Sequence, residues 1–172
     1  MARWAHLLTA FVALAAWAGA QGPAAPAPLA AEDKLRLLKA NAALIDNLVR
    51  DGVAMSGSDT PVKQVEHCRN ASRSLVNAIL DAARAEDAER VAELTGLLRT
   101  VVSEGLVPSL EEAKRGITPQ SPADLKLREV RASAVQDMSD LKAALPAAGK
   151  VGDSPRVKDN LKQLDDLADA LK

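Results

Sequence analysis

The sequence predicts an all-α protein: an up-and-down four-helix bundle with an additional C-terminal amphipathic helix, preceded by a signal peptide. Apolar residues recur every three or four positions through most of the chain, which is the period of a helix packed on one face. Ser/Thr-Pro pairs stand at three expected helix starts, where the first residue caps the helix and proline suits its first turn. The alternation of β-branched and polar residues that indicates strands is absent from the sequence.

The first twenty residues have the organisation of an export signal. Arg3 precedes an apolar run from Leu7 to Ala20, and Ala18-Gly19-Ala20 resembles a small-residue cleavage site. The alternative is an uncleaved membrane anchor, but the run is short and rich in alanine for a bilayer-spanning helix. We therefore expect residues 1–20 to be removed, leaving a bacterial periplasmic or extracellular protein without stable membrane association.

Composition divides the rest of the chain. Residues 21–31 are rich in proline and alanine and are expected to form an extended linker. The helical bundle is expected over 32–145, a second linker over 146–155, and the C-terminal helix over 156–172. That last helix could pack against its own chain or dock in a groove of a partner protein.

The first helix is expected from about Glu32 to Ala54. Its spacing predicts an inward-facing stripe with a three- and four-residue period, and neighbouring leucines widen it. The stripe residues are Leu35, Leu38, Ala42, Ile45 and Val49, and the widening residues are Leu37, Leu44 and Leu48.

The second and third helices are predicted as a hairpin. Thr60-Pro61 opens the second, and a tight turn is expected from Ala85 to Asp87, although no glycine or proline marks it. The third helix runs to about Arg115 and contains Gly105 and Pro108, which predict a kink. The second helix's inner residues are Val65, Cys68, Ser72, Leu75, Ile79 and Ala82; those of the third are Val91, Leu94, Leu98, Val101 and Val102.

Two further helices are expected to begin at Ser-Pro pairs. Ser121-Pro122 opens the fourth, with Asp124 three residues on in a capping pattern. Ser154-Pro155 opens the last. The inner residues of the fourth are Leu127, Ala134, Met138, Leu141 and Leu145, and those of the last are Val157, Leu161, Leu164, Ala168 and Leu171.

The scarcity of aromatic residues excludes several functions. Trp4, Phe11 and Trp17 are the only Trp and Phe residues, the chain has no tyrosine, and all three lie in the expected signal peptide. Base stacking on aromatic side chains is therefore excluded for the exported protein, and with it the usual platform for single-stranded nucleic acid. The net charge of −1 comes from mixed signs with no basic stripe for phosphates. We expect no nucleic-acid partner.

Glu66-His67-Cys68 is the one cluster that combines a nucleophile with a base. Adjacent helical residues point about 100° apart, so His67 and Cys68 are not expected to face each other as a catalytic pair. Cys68 fits the apolar stripe as a core residue; an intermolecular disulfide, a redox role or a nucleophile are the alternatives. His67 is expected to be solvated or to cap a helix.

Other chemistry-bearing patterns are missing from the sequence. It has no Glu-x-x-His pair, no Cys-x-x-Cys-His haem motif, no Gly-rich phosphate loop and no G-x-S-x-G. Neighbouring acids are expected on solvated helix faces with bases three or four positions away. These are Glu111, Glu112, Asp137, Asp140, Asp165, Asp166 and Asp169. We expect no catalytic, cofactor or metal site.

The sequence therefore favours an exported, non-enzymatic protein. Its amphipathic helices would mediate protein–protein interaction or self-association. The alternative is a periplasmic carrier or sensor of a small apolar ligand held between helices, although no polar anchor for such a ligand is evident.

Overall fold

The described part of the chain, residues 31–146 and 149–171 of a computed structural model, is all-helical. The predicted signal peptide and linker residues 21–30 lie outside it. The helices are α1 (Ala31–Ser56), α2 (Pro61–Arg84), α3 (Ala88–Thr100), a π-helical turn (Val101–Leu106), α4 (Val107–Arg115), α5 (Pro122–Ala144), α6 (Lys150–Asp153) and α7 (Pro155–Ala170).

The chain divides into two compact units within α1, Met1–Leu38 and Lys39–Lys172. In the first unit the described residues form the start of α1, where Leu35 and Leu38 are exposed. The second unit holds the core.

Two of the three predicted Ser/Thr caps are present. The Thr60 hydroxyl accepts a hydrogen bond from the Lys63 backbone N–H at 3.4 Å and caps α2. The Ser121 hydroxyl accepts one from the Asp124 N–H at 3.2 Å and caps α5. Ser154 precedes α7 but makes no such bond.

The turn expected before Ala88 is confirmed. Glu86 takes a left-handed conformation with φ of 56°. The Asp87 N–H then donates to the Ala82 carbonyl at 3.0 Å, as in a helix-ending Schellman motif. The Asp87 side chain accepts from the Arg90 N–H at 2.9 Å and caps α3. These hydrogen bonds hold Glu86 in a backbone conformation that usually favours glycine.

A π-helical turn lies where the sequence predicted a kink. Over Val101–Leu106 the helix widens, and the Val107 N–H donates to the Val102 carbonyl five residues back. Pro108 has no N–H to donate and its ring crowds the preceding turn, which disfavours regular α-helical bonding there. A Cβ placed on Gly105 would lie 3.5 Å from Cys68 Sγ, so this turn packs directly over the cysteine.

The core lies between α2, α3, α5 and α7. Helix α2 packs on α3 and α5, and α7 packs on the same two helices. Val157, Leu164 and Leu167 of α7 are buried in this core. The C-terminal helix thus packs against its own chain, which was one of the two alternatives that the sequence left open. Within the predicted linker 146–155, α6 forms a single turn whose Val151 is also buried.

The predicted inward stripe of α1 is wrong. Leu35, Leu38, Ala42, Ile45 and Val49 are all exposed. The widening residues Leu44 and Leu48 face the core instead, together with Met55; the side chain of Leu37 lies outside the described residues. The reason is geometric. Apolar side chains cover about half the circumference of α1, so two adjacent stripes share the helical period, and the core contacts only one.

Candidate interaction surface

The outward side of α1 in the second unit carries a row of unpartnered apolar side chains. We define the α1 outer face as Ala42, Ile45, Val49 and Val53. Ile45 is 43% exposed, Val49 59% and Val53 67%. Spacings of three and four residues place them along one side of the helix. The α1 outer face is the longest run of exposed large apolar residues on one described helix of this unit.

The orientation of this face is set by contacts on the opposite side of α1. Leu44, Leu48 and Met55 pack against the core. Asp51 Oδ1 lies 3.4 Å from His67 Nδ1 on α2. Near the other end, the Asn41 side-chain oxygen accepts a hydrogen bond of 2.7 Å from Arg90 on α3. Turning the outer face inward would break both polar contacts and expose the three packed residues.

Charged residues follow one edge of the α1 outer face. Lys39, Asp46 and Arg50 are exposed and lie, at 100° per residue, just beyond the apolar row. None of the ion pairs formed among the described residues includes them. These charges are therefore available to a partner that covers the row.

The face is comparable in size to the largest apolar patch of a typical monomer. Its exposed side chains present on the order of 300 Å² of apolar surface, the lower end of the range for the largest patch on a typical monomer. Single exposed apolar residues need no explanation, and Leu125 on α5, 58% exposed, is one. A contiguous row of three with a helical period is different, because a partner helix can cover it in one contact.

His67 and Cys68 have different partners in the structure. His67 points to Asp51, so it is neither simply solvated nor a helix cap, and Glu66 pairs with Lys126 at 3.7 Å. Cys68 is buried and unpaired with another cysteine, as the core interpretation predicts. Its Sγ lies 3.2 Å from Met55 Sδ.

Burial controls the chemistry of the Cys68 thiol. Loss of hydration raises the pKa of Cys68 above its usual value; a contact with the Ser109 hydroxyl opposes this shift, and the Asp51 charge adds to it. The thiolate is the nucleophilic form of cysteine. A buried thiol held in its protonated form is therefore a poor nucleophile.

The neighbouring acids are engaged in ordinary ion pairs or exposed. Asp137 lies 3.8 Å from Arg69, and Asp165 lies 2.5 Å from Lys142, which links α5 to α7. Glu111 and Glu112 are exposed. Among the residues that the structure describes, no three His, Cys, Asp or Glu side chains are grouped to hold a metal ion.

A cleft of about 250 Å³ lies between α4, α5 and the end of α7. Val107, Leu110 and Leu127 contribute apolar walls. The charged residues that line the cleft carry both signs: Glu111, Lys114, Asp124, Arg128 and Arg131. The Arg131 Nε donates to the Leu171 carbonyl, which ties α5 to the end of α7. The cleft is smaller than most drug-sized ligand sites, which range from about 300 to 1,000 Å³.

Sequence reasoning missed the polar contacts between distant helices. Arg69 on α2 donates to the Ser133 hydroxyl on α5. Asn160 on α7 donates to the Ala92 carbonyl on α3 at 3.0 Å. No local spacing could have indicated either, because the partners are more than sixty positions apart in the chain.

Comparisons of the chain with known protein families, curated proteins and solved structures found no match. Within the described ranges, no helix combines the length and hydropathy needed to cross a membrane. Any assignment of function therefore rests on the surfaces and side chains described above.

Proposed function

We propose that this chain is an exported, non-enzymatic helical-bundle protein that acts by protein–protein contact through the α1 outer face. In this proposal residues 1–20 are a cleaved signal peptide, and α2, α3, α5 and α7 form a four-helix bundle that carries α1 on its side. The observation that supports the contact role is the row of exposed Ile45, Val49 and Val53, held outward by packed and polar contacts behind it.

The energetics favour a covered face. Exposed apolar surface contributes roughly 25 cal/mol per Å² when it is removed from water. A row on the order of 300 Å² is therefore a substantial source of binding free energy, before the costs of association. The same row adds no folding stability to the isolated chain, because Val49 is exposed and a polar residue there would leave the core unchanged.

The non-enzymatic part of the proposal rests on the placement of the reactive groups. Cys68 is buried beneath the π-helical turn, and burial raises its pKa. His67 is turned to Asp51. His67 and Cys68 form no hydrogen bond with each other in the structure, and the neighbouring acids are exposed or paired with bases on helix surfaces.

A second candidate function is the binding of a small ligand in the cleft between α4, α5 and α7. Its lining combines apolar walls with side chains of both charges, which suits a small and mostly apolar molecule. Native mass spectrometry of the exported protein, purified without denaturant, tests it. A reproducible extra mass of a few hundred daltons supports a carrier, and a clean apo mass counts against one.

The contact role is tested by site-specific photo-crosslinking in cells that export the protein. A photo-reactive residue replaces Val49 in one variant and Leu125 in the matched control, which is exposed to nearly the same degree on α5. We expect a discrete crosslinked protein band from position 49 and none from position 125. Equal crosslinking at both positions, or none at position 49, would contradict the proposal.

Export is tested on the chain purified from the same cells. Mass spectrometry of the purified chain reports its N-terminus, which we expect at Gln21. Retention of residues 1–20 on the membrane-bound chain would favour the anchor alternative instead.

A further inference from the structure

We propose that Cys68 and Met55 form a binding site for a soft monovalent metal ion of the Cu(I) type, with the Ser109 hydroxyl as a weaker ligand beside them. The site goes beyond the proposed contact role, because it lies on the core-facing side of α1 and not on the α1 outer face. It is carried by the juxtaposition of a thiol, a thioether and an unpartnered buried hydroxyl. The three groups come from α2, α1 and α4.

Two sulfur atoms meet where the end of α1 packs against α2. Cys68 Sγ lies 3.2 Å from Met55 Sδ. Thiolate and thioether sulfurs are soft ligands of the kind that favours Cu(I). With sulfur–metal bonds of about 2.3 Å, as in zinc–thiolate sites, an ion held by both sulfurs requires them to separate by roughly 1 Å. The unbranched methionine side chain has the torsional freedom to make that adjustment.

The Ser109 hydroxyl is a second and independent sign of a ligand. Ser109 is 2% exposed, and its Oγ makes no hydrogen bond of normal geometry among the described residues. A buried hydroxyl without a partner costs free energy, so such a group calls for an explanation. The polar contact that it does make is with Cys68, where it stabilises the anionic form of the sulfur. A cation bound at that sulfur would give the Oγ lone pair a partner.

The π-helical turn leaves room beside the Cys68 sulfur. Gly105 carries no side chain, and the one described atom outside its turn that a Cβ there would meet within 4 Å is Cys68 Sγ, at 3.5 Å. A space of about the size of a methyl group therefore adjoins the sulfur. Ser109 follows Gly105 by four residues, about one helical turn, so both lie on the side that faces Cys68. π-Helical turns inside α-helices occur frequently at functional sites.

Charge and ligand type favour a soft monovalent ion over Zn²⁺. On binding, the Cys68 S–H bond is replaced by a sulfur–metal bond, the proton leaves to solvent, and no electron is transferred. A thiolate with a monovalent cation is neutral as a pair, which limits the cost of burying it. Zn²⁺ is almost always held in a tetrahedral set of Cys, His or carboxylate ligands. In the part of the chain that the structure describes, no three such side chains come together.

The ion has a path to the sulfur. Cys68 is 4% exposed, whereas Met55 is only partly buried and lies at the end of α1. Asp51 precedes Met55 by one helical turn, and its carboxylate is close enough to act on Cys68 electrostatically. A negative charge there attracts a cation. Movement of the flexible Met55 side chain would therefore admit the ion and also supply one of its ligands.

A Cu(I) competition titration tests the site with the full exported chain. The protein is kept reduced and free of oxygen, and Cu(I) is supplied as its coloured complex with bicinchoninate. We expect the wild type to withdraw one equivalent of Cu(I) from the chelator. Since Trp4, Phe11 and Trp17 lie in the expected signal peptide and the chain has no tyrosine, the near-ultraviolet absorption of a Cu(I)–thiolate bond is measured against an almost empty background.

Substitutions separate the two sulfurs from the fold. Cys68→Ala is expected to abolish the binding. Met55→Leu is expected to weaken it at least about tenfold, because even the outer partners of metal ligands cost that much when they are removed. Met138→Leu, the matched control, changes a buried methionine on α5 and is expected to bind like the wild type. Leucine conserves the volume of methionine, so circular dichroism of both leucine variants is expected to match the wild type.

Each of several results would overturn the inference. A wild type that withdraws no Cu(I) from the chelator excludes the site, and binding that survives in Cys68→Ala places the ion elsewhere. Should Cys68→Ala fail to fold, the two leucine variants still decide: equal binding by Met55→Leu and Met138→Leu excludes the sulfur pair. Displacement of Cu(I) by an equal concentration of Zn²⁺ would contradict the selection of a soft monovalent ion. Crosslinking from position 49 tests the proposed function separately from all of these.

Discussion

The place of α7 in the core predicts a large effect for Leu164→Ala. Leu164 is 2% exposed and lies on the helix that packs against both α3 and α5. A C-terminal helix tethered outside the bundle would tolerate the change, because alanine is the better helix former. A helix inside the core would not, because truncation removes buried carbon atoms and leaves a cavity.

The magnitude follows from those two terms. Losing three buried carbon groups costs about 2.4 kcal/mol at roughly 0.8 kcal/mol each. The residual cavity raises the loss of unfolding free energy to about 3–4 kcal/mol, within the range measured for buried Leu→Ala changes. Leu161→Ala on the same helix is the matched control. Leu161 is only partly buried, so we expect it to lose about 1 kcal/mol.

Urea unfolding followed by circular dichroism measures the loss of unfolding free energy in both variants. Tryptophan fluorescence does not serve, because Trp4 and Trp17 lie in the expected signal peptide. With a slope near 2 kcal/mol per molar urea, Leu164→Ala is expected to lower the midpoint by about 1.5–2 M. One low protein concentration is used throughout, since association adds apparent stability. A shift no larger than that of Leu161→Ala would refute the placement of α7 in the core.

Three further predictions concern single side chains. Cys68 is expected to react with iodoacetamide at pH 8 far more slowly in the native protein than in urea, because burial raises the pKa of its thiol; equal rates, followed by mass spectrometry, would contradict its burial. The Gln120 N–H, and then Arg128, hold the pKa of Asp124 below its usual range. A depressed folded-state pKa gives stability that is present above the unfolded value of about 3.9 and is lost as pH falls below it. Asp124→Asn is therefore expected to be less stable than wild type near pH 6, with the difference shrinking below about pH 4 in thermal melts; a difference constant over that range would count against it. A Cβ on Gly152 would lie 2.7 Å from the Pro146 carbonyl oxygen, whereas nothing lies within 4 Å of one on Gly96. We expect Gly152→Ala to destabilise by about 1–3 kcal/mol and Gly96→Ala to stabilise by about 0.5–1 kcal/mol; the same sign for both in urea titrations would exclude the close approach.

Local patterns in the sequence predicted the helices and their ends well. Thr60 and Ser121 cap helices because a hydroxyl before proline can reach an unpaired N–H within three residues. The stripe of α2 predicted five of its seven buried residues, because that helix contacts the core along its length; at its end Ala83 is buried and the predicted Ala82 only partly so. In both cases the decisive interaction lies within a few turns of the residue concerned.

The orientation of α1 could not be predicted in that way. Its apolar residues cover two adjacent stripes, and the period alone does not say which one is buried. The choice depends on Asn41 and Asp51, whose partners Arg90 and His67 lie on other helices. Neither partnership is visible in the spacing of α1. The exposed stripe is thus the element of the sequence that local reasoning misread, and it is the one that carries the proposed function.

Hydroxyl-radical footprinting with mass spectrometry tests the central claim most directly, that the α1 outer face is covered when the protein works. Oxidation of Ile45, Val49 and Leu125 is compared between dilute purified protein and the undiluted exported fraction. We predict that Ile45 and Val49 become protected in the undiluted fraction while Leu125 is oxidised equally in both. Equal oxidation of Ile45 and Val49 in the two samples would contradict the account.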